Sequence, residues 1–157
     1  MERTVLLAQL VTMLDGEIDA VSRFITLLEE ENQLLVTVDA DALLEKSHEK
    51  NTLFQTLQRY HDTRSILLAR EKITDNKEAI RDFFRQSPVL LEKWDTLLDL
   101  ALQARSLNSL NGKLIHERMA HNQSLMALLL NAARQPQFYD AEGMTHPSNS
   151  GRHLGSA

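Results

Sequence analysis

The strongest constraint on the fold of this chain is a seven-residue repeat of apolar side chains within its first 35 residues. Alternating steps of four and three residues place two columns of side chains on one side of an α-helix, as in the seam of a coiled coil. The first column holds Leu7, Leu14, Val21, Leu28 and Leu35, and the second holds Val11, Ile18, Ile25 and Asn32. The pattern predicts a helix from about Arg3 to Leu35, roughly 50 Å long. Its opposite, solvated face should carry Glu2, Arg3, Glu17, Arg23, Glu30 and Gln33.

Composition excludes several other architectures and partners. The 157 residues are 43% hydrophobic, enough for one core, but 5 Gly, 3 Pro and 5% aromatic residues are too few for an all-β fold. The absence of cysteine removes disulfides and thiolate metal sites. A formal net charge of −5 argues against nucleic acid as a partner. Since no stretch reads as a signal peptide or a membrane span, we expect a cytoplasmic protein without membrane insertion.

A second helix is predicted from about Ala40 to Arg70, after a short reversal of the chain. Its similar length and the short connection favour an antiparallel helical hairpin. One face of this helix mixes apolar and polar residues, namely Leu43, Ser47, Lys50, Phe54, Leu57, His61, Arg64 and Leu68. The ionisable residues on that face, Lys50, His61 and Arg64, could form a buried charged site. We instead expect packed stems at the seam edge with charged heads in water, and we expect the acidic run Glu29–Glu31 to be solvated.

Two more helices follow. Asp75 and Glu78 have the spacing of a capping box and open a short helix that holds Ile80, Phe83 and Phe84. That helix should stop at Ser87, because the residue before a proline avoids the helical region. Pro88 then begins a long helix to about Arg134, with Trp94 in the core.

Three asparagines lie among the apolar seam residues, at positions 32, 108 and 111. A buried Asn in a seam sets the register of the helices at some cost in stability. Glycine inside a helix costs about 1 kcal/mol relative to alanine, so Gly112 predicts a bend or the close approach of another backbone. Asn108, Asn111 and Gly112 together form a predicted helix-packing motif.

The pattern ends after Gln135. Residues 136–157 contain Gly143, Pro147, Gly151 and Gly155 and show neither helical nor strand period. We therefore divide the chain into a helical domain, residues 1–135, and a flexible tail, residues 136–157. The predicted fold class is all-α: an elongated antiparallel hairpin or bundle with coiled-coil character, three long helices and one short one.

The sequence carries no recognisable motif for catalysis. It has no Gly-rich phosphate loop, no nucleophile elbow and no Glu-x-x-His spacing of the kind found in metal-binding four-helix bundles. The nearest metal-like group is His116, Glu117 and His121, but its two histidines diverge by about 140° around a helix. We expect no enzymatic activity, no metal and no cofactor.

Several separated segments resemble the FlgN family of flagellar export chaperones. They are residues 49–53 leading to Arg64, Trp94, the segment Leu107–Ile115 continuing to Asn122, the segment Phe138–Gly143, and Gly151–Arg152. An Asn-x-x-Asn-Gly sequence in a long helix, followed by a Tyr-x-x-x-Gly sequence, is the most specific part. The resemblance covers essentially the whole chain.

The resemblance implies a cytoplasmic chaperone that binds the C-terminal helical segment of hook–filament junction proteins. It would prevent their premature aggregation and deliver them to the flagellar type III export gate. Tyr139 matches the tail tyrosine with which family members dock at the gate, so gate and ATPase-complex components are implied partners. The final helix and the tail match the client-binding part, which here carries Leu125, Met126, Leu128, Leu129, Leu130 and Phe138.

Other interpretations stay open at this point. The apolar end of the last helix could pack on the first helix or form a homodimer instead of binding a client. The alternative function is a structural or adaptor coiled-coil protein with no export role, since the heptads alone would suffice for it.

Overall fold

The computed structural model describes residues 2–37 and 39–119, and all regular secondary structure in these residues is helical. Helix α1 covers Arg3–Thr37, α2 covers Ala40–Arg70, α3 covers Lys77–Phe84 and α4 covers Pro88–Met119. The predicted all-α class, with three long helices and one short one, is confirmed. The predicted continuation of the last helix to Arg134, the domain boundary at 135 and the tail of residues 136–157 lie outside the described residues.

Helix α1 and helix α2 form the predicted antiparallel hairpin. Their pairing is shown by two ion pairs: Glu31 meets Lys50 near the turn, and Glu17 meets Arg64 farther from it. Asp39 begins α2 as its N-cap, with its side chain accepting a hydrogen bond from the backbone N–H of Ala42 at 3.1 Å. The cap satisfies an amide at the helix end that would otherwise lack an intrahelical partner.

Helix α4 runs parallel to α1 along most of its length. Arg3, the first residue of α1, donates a hydrogen bond from Nε to Gln86 Oε1 just before α4, at 2.8 Å, and Lys93 pairs with Asp15 farther along both helices. Near their described ends, Arg118 Nη2 donates a hydrogen bond to the carbonyl oxygen of Val36 at 3.2 Å. The segment with α3 therefore returns the chain to the level at which α1 begins, and the three long helices form an up-down-up bundle.

The N-cap of α3 is Asn76, so the predicted capping box at Asp75 is wrong. Asn76 Oδ1 accepts a hydrogen bond from the backbone N–H of Ala79 at 2.9 Å. The Asp75 carboxylate instead accepts a hydrogen bond from Ser65 Oγ of α2 at 2.8 Å, which directs it away from the helix that follows. At the next junction the prediction holds, because Ser87 Oγ accepts from the backbone N–H of Leu90 and α4 begins at Pro88.

The core lies where α1 contacts α2, α3 and α4. Trp94 is completely buried there, as predicted. Its ring meets Phe84 edge to face, with 5.8 Å between ring centroids and 80° between ring planes, a favourable arrangement for aromatic pairs. The guanidinium of Arg64 lies 5.1 Å from the centre of the Trp94 ring, so one tryptophan connects α3, α4 and α2.

The second column of the α1 seam is displaced by one residue from the prediction. Val11, Ile18, Ile25 and Asn32 are only half-buried, and the fully buried column is Leu10, Glu17, Phe24 and Glu31. Helix α1 packs against two long helices rather than one, so its buried face is wider than a coiled-coil seam. The predicted column lies at the edge of that face.

No helix within residues 2–37 and 39–119 is both long enough and apolar enough to cross a membrane.

We predict that Asn76→Ala lowers the free energy of unfolding by about 1 kcal/mol, because the Ala79 amide loses its acceptor. Urea denaturation followed by circular dichroism measures the change. Lys77→Ala, an exposed substitution at the next position, is the control and should change stability by about 0.5 kcal/mol or less. Equal losses for both variants would contradict the assignment of Asn76 as the cap.

Candidate functional site

A charged cluster is buried between the N-terminal half of α1 and the C-terminal half of α2. Glu17 and Arg64 are both fully buried, and Arg64 Nη1 donates to Glu17 Oε1. The second Glu17 oxygen accepts no hydrogen bond from the described residues. Because a carboxylate taken out of water is destabilised by several kcal/mol unless it is paired, Glu17 depends on Arg64.

His61 extends this cluster towards the α2–α3 connection. Arg64 Nη2 lies 3.0 Å from His61 Nδ1, and since a guanidinium can only donate, Nδ1 accepts. The ring proton is then on Nε2, which lies 3.6 Å from the Asp75 carboxylate. Burial, with the neighbouring Arg64 charge, lowers the pKa of His61 below its usual 6.5. A neutral histidine thus acts as a hydrogen-bond acceptor for the buried arginine.

A second buried layer lies nearer the α1–α2 turn and includes α4. Lys50 Nζ lies 3.3 Å from Glu31 Oε1, and both side chains are almost fully buried. Burial lowers the pKa of Lys50, and the Glu31 charge opposes this shift. The Asn111 side chain donates to Glu31 Oε1 and to the carbonyl oxygen of Leu28, both at 2.9 Å. Its own oxygen accepts from Asn32 Nδ2 at 3.0 Å. The layer therefore joins all three long helices.

The expectation that Lys50, His61 and Arg64 keep their heads in water is wrong, and so is the placement of Glu17 and Glu31 on solvated faces. The exposed fractions of Lys50, His61 and Arg64 are 3%, 8% and 0%. Two opposite charges that face each other across a hairpin can be buried together. The residue pattern of one helix does not show that its charged residues have partners on another helix. A usable signal was present, since Glu17 with Arg64 and Glu31 with Lys50 are centred on the same point of the chain, between residues 40 and 41.

The predicted helix-packing motif divides into residues with different environments. Asn111 is fully buried and has the contacts given above, whereas Asn108 is half-buried. No neighbouring backbone approaches Gly112, because no described atom outside its own stretch of helix lies within 4 Å of a methyl group placed there. The expected close approach of another backbone is therefore wrong, and α4 continues as a helix through Gly112.

The surface between the N-terminal half of α1 and the C-terminal half of α2 forms an open groove of about 900 Å³. We call it the α1–α2 groove. Its walls include Val5, Ala8 and Met13 from α1 and Tyr60, Thr63 and Leu67 from α2, with Arg59 at the rim. At one end Tyr60 lies directly over Gly16, where an added methyl group would be only 2.8 Å from the ring atom Cζ. Glycine is thus what allows this tyrosine to pack against α1.

The residues predicted to bind a client or the export gate lie outside the described part of the chain. They are Leu125, Met126, Leu128, Leu129, Leu130, Phe138 and Tyr139. Of the metal-like group, His116 and Glu117 are exposed on α4, and His121 lies outside the described residues. Within residues 2–37 and 39–119 no cluster of three or more histidine and carboxylate side chains could hold a metal ion.

These features define an elongated all-helical bundle whose buried charges serve packing and whose surface carries an open groove. The FlgN protein family model matches residues 1–147. The chain belongs to the FlgN family, and its role lies in flagella synthesis.

Curated relatives agree with this assignment, and a solved structure shares the fold. The chain is 27% identical over 137 residues to the flagella synthesis protein FlgN of Yersinia enterocolitica, covering 86% of this chain and 88% of the relative. It is 25% identical over 145 residues to the protein of the same name from Proteus mirabilis, covering 91% and 94%. A Pseudomonas aeruginosa crystal structure described as a flagella synthesis protein FlgN has the same fold, with a TM-score of 0.63 and 23% identity, covering 79% of this chain and 95% of that one.

We predict that Arg64→Met lowers the free energy of unfolding by about 3–5 kcal/mol, because Glu17 remains buried without its cation. The double variant Arg64→Met with Glu17→Leu should recover most of this loss. Urea denaturation of the single and double variants measures both values. Arg23→Met breaks the exposed pair with Asp19 and should cost about 1 kcal/mol or less. A double variant no more stable than the single one would contradict the dependence of Glu17 on Arg64.

His61 should make stability depend on pH. Arg64, Asp75, Glu17 and Asp62 are the charged groups that act on it. Because its pKa is lower in the folded protein, the unfolded chain binds more protons as the pH falls through 6.5. We expect full stability above pH 6.5 and a loss as the pH falls towards the folded pKa.

Urea denaturation between about pH 7.5 and 5.5 measures this dependence, and His61→Gln should make it shallower. The exposed His48 offers the matched control, His48→Gln, which should retain the wild-type dependence. A His61→Gln variant with an unchanged slope would contradict the assignment.

Proposed function

We propose that this protein is a cytoplasmic flagellar export chaperone. It binds the C-terminal helical segment of hook–filament junction proteins, prevents their premature aggregation and delivers them to the type III export gate. Membership of the FlgN family carries the flagellar part of this proposal. The chaperone activity, its clients and its location are the part that experiment has to test.

In the proposed mode, a client helix places its apolar face against side chains of this chain that recur at helical spacing. Leu125, Met126, Leu128, Leu129 and Leu130 supply more apolar surface than one buried stripe requires. The flexible thioether of Met126 suits a surface that must adapt to different clients.

Delivery to the gate is a separate step in the proposal. Tyr139 follows the client-binding residues and would dock at the gate or at ATPase-complex components. Its aromatic ring and hydroxyl combine apolar contact area with one hydrogen bond, which suits an interface.

The packing of α1 counts against the alternative of a coiled-coil adaptor. The heptad residues Leu14, Val21, Leu28 and Leu35 are buried, and α1 packs against α2 and α4 of the same chain. The stripe that would join a second chain in a coiled coil is therefore already covered.

We predict that the protein binds full-length hook–filament junction proteins of its own organism in isothermal titration calorimetry. Leu129→Asp should weaken binding by about tenfold or more, since a buried leucine contributes about 1.5–3 kcal/mol and a carboxylate does not fit an apolar interface. Leu110→Asp is the matched control, because Leu110 is an exposed leucine of α4 outside the proposed contact. Absence of binding by the wild-type chain to any junction protein would overturn the proposed function.

A further inference from the structure

Two buried carboxylate oxygens flank the contact between Arg64 and His61 without accepting a hydrogen bond from the described residues. They are Glu17 Oε2 and Asp75 Oδ1. The other oxygen of each carboxylate is engaged. Glu17 Oε1 accepts from Arg64, and Asp75 Oδ2 accepts from Ser65. Because buried polar atoms in folded proteins nearly always have a partner, two unpartnered oxygens on either side of one contact indicate a second arrangement of this cluster.

His61 lies between the two carboxylates as a neutral ring. Its Nδ1 accepts from Arg64 Nη2 at 3.0 Å. Its Nε2 lies 3.6 Å from Asp75 Oδ2, which is longer than a hydrogen bond of about 2.7–3.2 Å. A movement of the ring by about 1 Å would bring Nε2 to the distance of a charge-assisted hydrogen bond with the Asp75 carboxylate. The ring is thus bonded to Arg64 and close to a second partner.

A proton on Nδ1 of His61 reverses the chemistry of the Arg64 contact. Nδ1 then donates, and since a guanidinium has no acceptor, two N–H groups and two positive charges face each other. Arg64 is held in place, because it is fully buried, pairs with Glu17 and lies 5.1 Å from the centre of the Trp94 ring. The Asp75 side chain, in contrast, is 30% exposed. A charged ring is therefore stabilised by moving towards Asp75, where it meets a negative charge and more water.

The charges that act on His61 come from three parts of the chain. Arg64 and Asp62 lie on α2 with it. Glu17 lies on α1, and Asp75 lies in the α2–α3 connection. Arg64 disfavours the charged ring, and the three carboxylates favour it. Because burial and the Arg64 charge together lower the pKa of His61 below 6.5, the ring is neutral at pH 7 and takes up its proton only in more acidic solution.

We propose that His61 is a pH-dependent switch in which four buried side chains exchange partners. The neutral ring accepts from Arg64, as described. The charged ring moves to Asp75 and donates to its carboxylate, while Arg64 Nη2 turns to the second oxygen of Glu17 and completes a pair with two parallel hydrogen bonds. The proton comes from solvent, and no covalent bond changes. The switch alters the junction between α2 and the α2–α3 connection while the bundle stays folded, and it does not depend on the proposed function.

NMR spectroscopy of the full-length wild-type chain, labelled with ¹⁵N at histidine, tests the two states of the ring directly. The ¹⁵N chemical shifts distinguish the two neutral tautomers from the charged ring, and the spectrum of His61→Gln identifies the signals of His61. We expect the proton on Nε2 at about pH 7.5 and protons on both nitrogens in acidic solution. A neutral ring with its proton on Nδ1 would overturn the proposal, because Nδ1 could not accept from Arg64. So would a ring that stays neutral until the bundle unfolds.

Trp94 is the only tryptophan of the chain and reports on the position of Arg64. Its fluorescence emission should shift with pH at the same midpoint as the His61 signals, while far-ultraviolet circular dichroism stays constant. His61→Gln retains an oxygen that can accept from Arg64 but does not titrate, so the shift should vanish. His48→Gln alters an exposed histidine of the same helix and should retain it. A shift that persists in His61→Gln, or one that coincides with loss of helix, would contradict the switch.

Asp75→Asn tests the second partner of the ring. The amide oxygen can still accept from Ser65, but the side chain has no charge to hold the charged ring. The midpoint of the Trp94 shift should therefore move to lower pH, because the carboxylate favours the charged form of His61. The matched control is Asp41→Asn, an exposed position of α2 that lies 20 residues from His61, or about 30 Å, and it should retain the wild-type midpoint. An unchanged midpoint in Asp75→Asn would overturn the switch.

Discussion

The pairing of α1 with α2 through buried opposite charges is the interaction on which the rest of this structure depends. Glu17 with Arg64 and Glu31 with Lys50 fall in one antiparallel register. A shift of α2 along α1 would leave four charged groups in the core without partners, each at a cost of several kcal/mol. Apolar contacts alone tolerate such a shift more readily, because leucine packs against leucine in several registers. The buried charges therefore select one hairpin among several that the apolar residues would allow.

The same two layers place α4. Asn111 contacts Glu31 and the backbone of α1 in the layer nearer the α1–α2 turn. Trp94 lies against Arg64 in the other layer. Both contacts attach α4 to groups that the hairpin has already positioned. With α4 against α1, no other helix of residues 2–37 and 39–119 covers the opposite side of the α1–α2 hairpin, and the groove lies there. The register of the hairpin thus also determines which side chains line the groove.

The distribution of charge and apolar surface separates stability from binding in this protein. The buried ion pairs are enclosed between helices and stabilise the bundle, while Arg59 lies at an open surface without a carboxylate partner among the described residues. The proposed client contacts are apolar side chains that recur at helical spacing in the sequence and can adapt to different helices. Under the proposed function, keeping these two sets of residues apart would let the protein bind and release a client without disturbing its core.

Much of this architecture is determined by local sequence. The period of the apolar residues predicts α1, and α2 begins and ends at Ala40 and Arg70 as the sequence indicates. Ser87 and Pro88 mark the start of α4, because capping groups and proline act within one helical turn. The segments around Asn111 and Tyr139 indicate the family through their residues alone. These features depend on neighbours in the chain, which the sequence displays directly.

Tertiary structure decided what depends on residues distant in sequence. The burial of Lys50, His61 and Arg64 requires carboxylates from another helix, and the wider buried face of α1 results from two packing partners instead of one. Asn76 rather than Asp75 caps α3 because Ser65 of α2 holds the Asp75 carboxylate. The α1–α2 groove exists only because α4 packs elsewhere on α1. The sequence by itself determined the helices and the family of the protein. The packing of the helices against one another decided which charges are buried and which surface of the described helices remains open, because the energy of a charge depends on the partners and the water around it.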